Sequence, residues 1–429
     1  MSVTNKKSRL HYVSGFLLII GWVGFAQASP RFSPQEIERG AYVAKVGDCI
    51  ACHTAPGGKP FAGGLPMPLP MGTIYSSNIT PDPTDGIGKY TFEDFDRAVR
   101  KGVAPGGKYL YPAMPYPSYA KVTPEDMKAL YAYFMQGVKP VAQPDKPPTM
   151  IWPLTLRWPL AIWKWMYASD DHAYQPDPKQ GAQWNRGAYL VEGLGHCGAC
   201  HTPRGIGMQE KALSASGADG SLFLSGAKVE NWYASNLRGN GVGGLGGWSV
   251  ADIVQLLKTG RNSTGAAMGS MTEVIHHSSQ HWTDADLEAV AIYLKSLPAD
   301  PNKPRAPQPV APAPQPDLHS VGSLAYAQHC ALCHQNDGEG AAGVFPAMAS
   351  NPTVESRDAL NLIHVILAGG QTAEVKGIHQ FTMPAFASVL SDQQVADIAT
   401  FVRSGWGNSG AAVSASEVAK VRADIAKTH

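Results

Sequence analysis

Three stretches of the chain carry apolar residues at the spacing i, i+3, i+4 and i+7, which is typical of a helix packed along one side. The stretches are Met127, Leu130, Tyr131, Phe134; Leu287, Val290, Ala291, Leu294; and Val395, Ile398, Ala399, Val402. Each follows a good N-cap residue: Thr123, Thr283 or Ser391, the last with Gln394 placed for a capping box. The pattern predicts three closing helices of one kind.

A shorter amphipathic run lies upstream of each closing helix. Each run ends before a glycine suited to a left-handed C-cap, at Gly102, Gly260 or Gly369. Further upstream are opening segments that contain a glycine and a tyrosine: Gly40 and Tyr42, Gly187 and Tyr189, Gly322 and Tyr326. A small residue there lets the opening and closing helices cross closely. We therefore predict an all-α protein of three tandem units, called the first, second and third unit below.

The N-terminus is typical of an exported protein. Lys6, Lys7 and Arg9 precede an apolar stretch, and Ala26-Gln27-Ala28 forms a small-x-small cleavage site. We predict a signal peptide over residues 1–28, with an uncleaved anchor as the alternative. Either way, the rest of the chain is exported.

Charge excludes one class of partner. The 429-residue chain has 35 basic and 34 acidic residues, and removing Lys6, Lys7 and Arg9 leaves 32 against 34, a mature formal charge of −2. The mature chain therefore lacks the basic excess of a nucleic-acid-binding protein.

Proline-rich segments mark the boundaries between units. The run from Leu297 to Asp317 is typical of a semi-rigid polyproline spacer. The segment from Met150 to Tyr167 is rich in Trp. It also contains Pro153, Pro159, Arg157 and Lys164, which argue against a membrane span. The segment therefore predicts an interfacial belt, a docking surface or an ordinary packing segment. The predicted division is a first domain over 29–145, a Trp/Pro-rich connector over 146–180, a second domain over 181–298, a linker over 299–317, a third domain over 318–408 and a tail over 409–429.

All six cysteines lie in Cys-x-x-Cys-His motifs, one per unit. Two thiols at this spacing reach the two vinyl groups of one porphyrin, and the following histidine supplies a proximal iron ligand. Zinc would need two such pairs close together, while a thioredoxin-like pair or a disulfide leaves the histidines without a role. We therefore predict three covalently bound haem c groups, held by Cys49, Cys52, His53, Cys197, Cys200, His201, Cys330, Cys333 and His334.

The distal iron ligand determines what such haems can do, because an iron with two protein ligands exchanges electrons but does not readily bind small molecules. Met114 and Met383 lie in comparable loops between the middle and closing helices, each followed by proline. In the second unit Met271 matches their spacing better than Met268, with His276, His277 and His281 as rivals. We predict His/Met ligation by His53 and Met114, His201 and Met271, and His334 and Met383.

The units resemble class I cytochrome c domains, in which crossing opening and closing helices hold the haem edge. Pro346, twelve residues after His334, resembles the family proline whose carbonyl accepts the hydrogen bond of the proximal imidazole.

Nearly the whole mature chain resembles the trihaem cytochrome c subunit of membrane-bound, quinone-reducing gluconate, sorbitol, fructose and alcohol dehydrogenases. The resemblance rests on the three motifs and their spacing, the paired Arg-Gly-Ala-Tyr openings at 39–42 and 186–189, Ser77-Asn78-Ile79-Thr80, Ser235-Asn236-Leu237, and residues 271–278.

The resemblance implies a periplasmic, membrane-associated relay without a substrate site of its own. It would take electrons from the flavin or pyrroloquinoline quinone of a catalytic subunit and pass them to ubiquinone or a terminal oxidase. The complex would consist of these two subunits, alone or together with a small third subunit. A relay for a molybdenum hydroxylase, a free carrier, or a peroxidase-like haem enzyme with one open iron are the alternatives.

Overall fold

The computed structural model describes residues 1–2, 32–168, 172–241, 243–300 and 319–427. The expected signal peptide and most of the proline-rich linker lie outside these residues. Within them the chain is mostly helical, as predicted.

The opening, middle and closing helices of all three units are present. Opening helices span Pro34–Val46, Ala182–Tyr189 and Val321–His329. Middle helices span Phe92–Lys101, Val250–Thr259 and Leu360–Ala368. Closing helices span Pro124–Ala132, Asp284–Ser296 and Asp392–Ser404, and the predicted caps Thr123, Thr283 and Ser391 each accept a hydrogen bond from a first-turn backbone N–H.

Shorter elements fill the connections. The further α-helices are Cys49–His53, Tyr116–Tyr119, Pro159–Tyr167, Gly198–His201, Ser270–His277, Ala331–His334, Pro352–Glu355 and Ala415–Ala426. Turns of π-helix (Tyr133–Gly137, Leu190–Leu194) and 3₁₀-helix (Pro105–Gly107, Ser279–His281) extend or link them.

The all-α expectation misses four antiparallel hairpins. They pair Pro66–Leu69 with Gly72–Tyr75, Val103–Ala104 with Lys108–Tyr109, Ala227–Val229 with Trp232–Ala234, and Gly370–Gln371 with Thr382–Met383. Strands of two to four residues carry too little alternation to stand out in the sequence.

The opening and closing helices of each unit touch backbone to backbone. A Cβ atom added to Gly40 would lie 1.9 Å from the carbonyl oxygen of Ala129. The equivalent distances are 2.0 Å from Gly187 to Ala289 and 2.2 Å from Gly322 to Asp397. The predicted need for a small residue at these crossings is confirmed in all three units.

Glycine ends each middle helix, but not always for the predicted reason. Gly102 and Gly260 adopt the left-handed conformation of a C-cap, whereas Gly369 has φ 68° and ψ −162°, so that expectation is wrong for the third unit. There the chain enters its hairpin at once, and a Cβ on Gly369 would lie 2.5 Å from the carbonyl oxygen of Met383.

The first two units share one continuous apolar core, which joins residues such as Val43 and Phe134 to Tyr189 and Leu287. The third unit has a separate core that includes Val395 and Val402, and the helix Ala415–Ala426 covers it through Val418 and Val421. A small cluster of Ala267, Ile275, Ala373 and Val375 lies between the second and third units.

The first and second units are also joined by reciprocal hydrogen bonds. Tyr42 of the first unit donates to Asp286 in the closing helix of the second over 2.6 Å, and Tyr189 of the second donates to Asp126 of the first over 2.7 Å. Within each unit the same aspartate pairs with an arginine of the opening helix, Arg39 with Asp126 and Arg186 with Asp286. The two units are thus related by an approximate two-fold symmetry.

We expect Gly40→Ala to destabilise the protein by about 1–3 kcal/mol, because the added methyl must push the two helices apart. Gly247→Ala is the control, since nothing lies within 4 Å of its Cβ position. Thermal unfolding should show a lower Tm for Gly40→Ala alone. Equal Tm values for the two variants would contradict the backbone contact.

Candidate functional site

Each Cys-x-x-Cys-His motif occupies a short helix just after an opening helix. Among the described residues no cysteine forms a disulfide, and no group of three or more His, Cys, Asp or Glu side chains is arranged to hold a metal ion. Burial raises the pKa of Cys49 and Cys197 to about 12 and that of Cys330 to about 11. Within the described part of the chain, none of the cysteine pairs therefore has the further His, Cys, Asp or Glu ligands that a zinc centre needs.

The three motif histidines have the same environment. Nδ1 of His53 lies 2.7 Å from the carbonyl oxygen of Ser77, Nδ1 of His201 lies 2.7 Å from that of Ser235, and Nδ1 of His334 lies 3.0 Å from that of Pro346. A carbonyl can only accept, so each Nδ1 carries the proton and each Nε2 keeps a free lone pair. The expected contact with Pro346 is confirmed.

Burial also lowers the pKa of His53, His201 and His334, with the carbonyl hydrogen bond as the opposing influence. Each imidazole is therefore neutral near pH 7. Neutral rings with a fixed tautomer are the form in which histidine binds iron.

Two asparagines position the carbonyl groups of the first two units. The Asn78 side chain donates to the carbonyl oxygens of Val141 and Gln143 over 2.8 and 3.1 Å, and that of Asn236 donates to Asn240 Oδ1 over 2.8 Å. Both are buried and follow the serine that accepts from the histidine. From the sequence alone, these segments indicated only the family resemblance and not this role.

The third unit contains a cleft beside its motif. Cys330, His334 and Met383 all line it, and its other walls are mainly apolar, including Tyr326, Pro346, Met348, Leu362, Ile366 and Val402. The wall chemistry and the thiol, imidazole and thioether groups fit a haem.

Met268 lies at this third cleft although it belongs to the second unit. It lines the cleft together with Ala266, and its Sδ is 3.2 Å from the position of a Cβ on Gly370. The structure thus places Met268 against the third unit.

Met271 lies at the same chain distance as Met114 from a backbone hydrogen bond that recurs in the first two units. The backbone N–H of Leu110 donates to Gly102 O, and that of Ala267 donates to Gly260 O, both over 2.8 Å. Each methionine lies four residues after that donor, and Met271 packs against the cluster of Ala267 and Ile275.

Two of the three rival histidines, His276 and His277, have partners in the structure. Nδ1 of His276 lies 2.9 Å from the carbonyl oxygen of Glu374, and Nε2 of His277 lies 3.3 Å from the Glu273 carboxylate.

The first two motifs are neighbours across the shared core. Asp48 and His196 immediately precede Cys49 and Cys197 and both have positive φ, 52° and 37°. Asp48 is buried, and its Oδ1 has no hydrogen-bond partner within the described chain. The pKa of Cys52 is raised first by burial and then by the negative charge of Asp48. The same charge also raises the pKa of Cys200, in the second motif.

Comparison with known proteins agrees with this geometry. A family model described as cytochrome c matches residues 320–406, the third unit. The chain is 52% identical over 415 residues to the gluconate 2-dehydrogenase cytochrome c subunit of Pantoea cypripedii, covering 95% of this chain and 94% of the relative. It belongs to the family of dehydrogenase cytochrome c subunits.

Two further relatives show how far this family reaches. The cytochrome c subunit of the alcohol dehydrogenase (quinone) of Gluconacetobacter polyoxogenes is 50% identical, covering 90% of this chain and 84% of the relative. The fructose dehydrogenase cytochrome subunit of Gluconobacter japonicus is 40% identical, covering 90% and 82%. The predicted resemblance is confirmed, and this cytochrome c subunit is an electron relay.

We expect Asp48→Asn to change how stability depends on pH. Burial, followed by the charge of Glu273, raises the pKa of Asp48 from 3.8 to about 8. The folded state then binds more protons than the unfolded state between these values, so stability falls as pH rises from about 4 to 8. The variant should lose this part of the decline, so its Tm should exceed that of the wild type more at pH 8 than at pH 5. A constant Tm difference would show that Asp48 does not titrate in this way.

Proposed function

We propose that this cytochrome c subunit carries three covalently bound haem c groups and relays electrons from the flavin or pyrroloquinoline quinone of a catalytic dehydrogenase subunit to ubiquinone or a terminal oxidase. The observation that carries the proposal is the threefold recurrence of one site. In each unit a motif histidine follows two thiols and directs its Nδ1 to a backbone carbonyl.

This geometry supports the following proposed ligands. The three cysteine pairs would form thioethers, His53, His201 and His334 would bind the irons through Nε2, and Met114, Met271 and Met383 would supply the second protein ligands. Haem c supplies reversible one-electron chemistry at its iron. The chain's own groups fix the orientation of each imidazole and, in the third unit, surround the site with mainly apolar walls.

We further propose three class I cytochrome c-like domains over 29–145, 181–298 and 318–408. The residues between and after them serve as connectors and tail. The repeated order of helices and the three glycine crossings support this division. The shared core means that the first two domains move as one body.

The arrangement of contacts favours a relay in which the second unit is central. Its motif adjoins the first motif through Asp48, and its Met268 reaches the third cleft. The ring of Trp232 also stacks on His364 of the third unit, with centroids 4.1 Å apart.

We place the protein on the periplasmic face of the inner membrane. Among the described residues, none of the helices combines the length and apolar character needed to cross a bilayer. The segment around Pro159–Tyr167 instead exposes Trp152, Trp158 and Trp165 at 79%, 65% and 75% of their surface. Exposed tryptophans beside cationic residues suit the interface between lipid headgroups and acyl chains.

The relay is tested on the complex extracted from membranes in mild detergent through a tag on this chain. We expect a co-purifying subunit with flavin or pyrroloquinoline quinone. The substrate of that subunit should reduce the haems, and added decyl-ubiquinone should reoxidise them, as followed by haem absorbance. Recovery of this chain alone, or haems that stay oxidised when substrate is added, would argue against the relay.

The choice of Met271 is tested by comparing Met271→Leu with Met268→Leu. We expect Met271→Leu to remove about one third of the sulfur-to-iron charge-transfer absorption of the ferric protein, since one of three Met-ligated haems loses its sulfur. Met268→Leu should retain that absorption in full. The reverse outcome would assign Met268 as the ligand.

A further inference from the structure

The cleft of the third unit is not built by the third unit alone. Ala266 and Met268 of the second unit lie in its wall, together with Met383 of the third. Both second-unit residues belong to the loop that follows the middle helix of that unit, residues 260–269, which we call the bridging loop. A neighbouring unit therefore supplies part of a proposed haem site.

Arg261 fastens the start of the bridging loop to the third unit. Its Nη1 and Nη2 atoms donate to the carbonyl oxygens of Gly343 and His379, each over 2.8 Å. The guanidinium also lies 5.1 Å from the ring centroid of Phe381, within range of a cation–π contact. Arg261 and Ala266 pair as an antiparallel bridge, so the contact that holds Arg261 also holds the part of the loop that lines the cleft.

Apolar contacts hold the middle of the bridging loop. Ala267 is buried in one cluster with Ala373 and Val375 of the third unit. The position of a Cβ on Gly265 lies 3.6 Å from Nδ2 of Asn351, which is itself a lining residue of the cleft. The loop therefore follows the rim of the cleft closely.

Trp232 fixes the end of the bridging loop. Gly269 has φ 60° and ψ −148°, a conformation that favours glycine, and a Cβ there would lie 2.6 Å from the Trp232 ring. The same ring stacks on His364 of the third unit, with centroids 4.1 Å apart. His364 precedes Val365, which lines the cleft. The residue next to Met268 is thus tied to a helix that forms the cleft wall.

Met268 is the larger of the two side chains that the bridging loop brings to the cleft. Its Sδ lies 3.2 Å from the position of a Cβ on Gly370, and Gly370 pairs with Met383 across the hairpin of the third unit. Met268 therefore lies against the strand pair that carries the proposed distal ligand. Because a thioether is only a weak hydrogen-bond acceptor, Met268 keeps this part of the wall apolar.

We propose that Met268 tunes the third haem: docking of the second unit places the thioether in the wall of the cleft and raises the reduction potential of that haem. A ferric haem carries one more positive charge than a ferrous haem, and an apolar wall disfavours the extra charge. The proposal rests on the proposed function, because it requires a haem on the third motif. It adds that the potential of this haem depends on a residue from another unit.

The test is a redox titration of the purified full-length protein, followed by haem absorbance. Met268→Gln places an amide of similar size in the wall. We expect it to shift the equilibrium of one haem about threefold toward the ferric form, which is about 28 mV for a one-electron couple. Met268→Leu keeps the wall apolar and should leave all three midpoints unchanged. The shifted haem should be the one whose midpoint also changes in Met383→Leu.

Arg261→Gln tests the docking step without changing a lining residue. We expect it to shift the same haem in the same direction, because the bridging loop is held less firmly. Arg97→Gln is the matched control, since Arg97 forms an ion pair with Asp94 in the first unit, and it should keep the wild-type midpoints. The sulfur-to-iron absorption should stay complete in Met268→Gln and Arg261→Gln, because neither variant removes a proposed ligand.

Three haems whose midpoints are the same in the wild type and in Met268→Gln would overturn this proposal alone. An equal shift in Met268→Leu would also overturn it, because the polarity of the wall would then not be the cause. A mass measurement of the wild type that finds no haem on the third motif would instead refute the haem set of the proposed function, and this inference with it.

Discussion

The close crossing of the opening and closing helices is the constraint on which each unit depends. Glycine at the crossing lets the two backbones touch, and a methyl group there would lie within about 2 Å of a carbonyl oxygen. The motif follows the opening helix at once or after a short connection, so the crossing also helps to place the thiols and the imidazole. Because the same contact recurs at Gly40, Gly187 and Gly322, three sites of equal geometry follow from one local rule.

The first two units are fixed to each other more firmly than either is to the third. Each tyrosine of the Arg-Gly-Ala-Tyr sequence hydrogen-bonds to the aspartate of the other unit, while its arginine pairs with the aspartate of its own. Burial by itself raises the pKa of Asp286, but hydrogen bonds from Arg186 and Tyr42 stabilise the carboxylate. The pKa of Asp286 therefore stays below its ordinary value. Hydrogen bonds to charged groups contribute about 1.5–3 kcal/mol each, so this pair of contacts holds the relative orientation that electron transfer needs.

The third unit attaches through different chemistry. Asn361 accepts from the backbone N–H of Tyr233 and donates to its carbonyl, over 2.7 and 2.8 Å, while His364 Nδ1 lies 2.9 Å from the carbonyl oxygen of Asn231. These contacts bind one edge of a second-unit hairpin, and the apolar cluster between the two units has four buried residues among those described. A separate core and a polar contact of this kind suit a unit that folds by itself and docks afterwards.

The sequence by itself determined the parts that depend on local spacing. Helix caps, apolar stripes, the crossing glycines and the Cys-x-x-Cys-His motifs each depend on residues that lie within one or two helical turns of one another. The helices, their order and the haem-type chemistry could therefore be predicted. The tertiary structure decided what depends on distant residues meeting: the carbonyl partners of His53 and His201, the contact of Met268 with the third cleft, and the shared core of the first two units. None of these has a local signature, because each arises only when segments tens of residues apart pack together and desolvate one another.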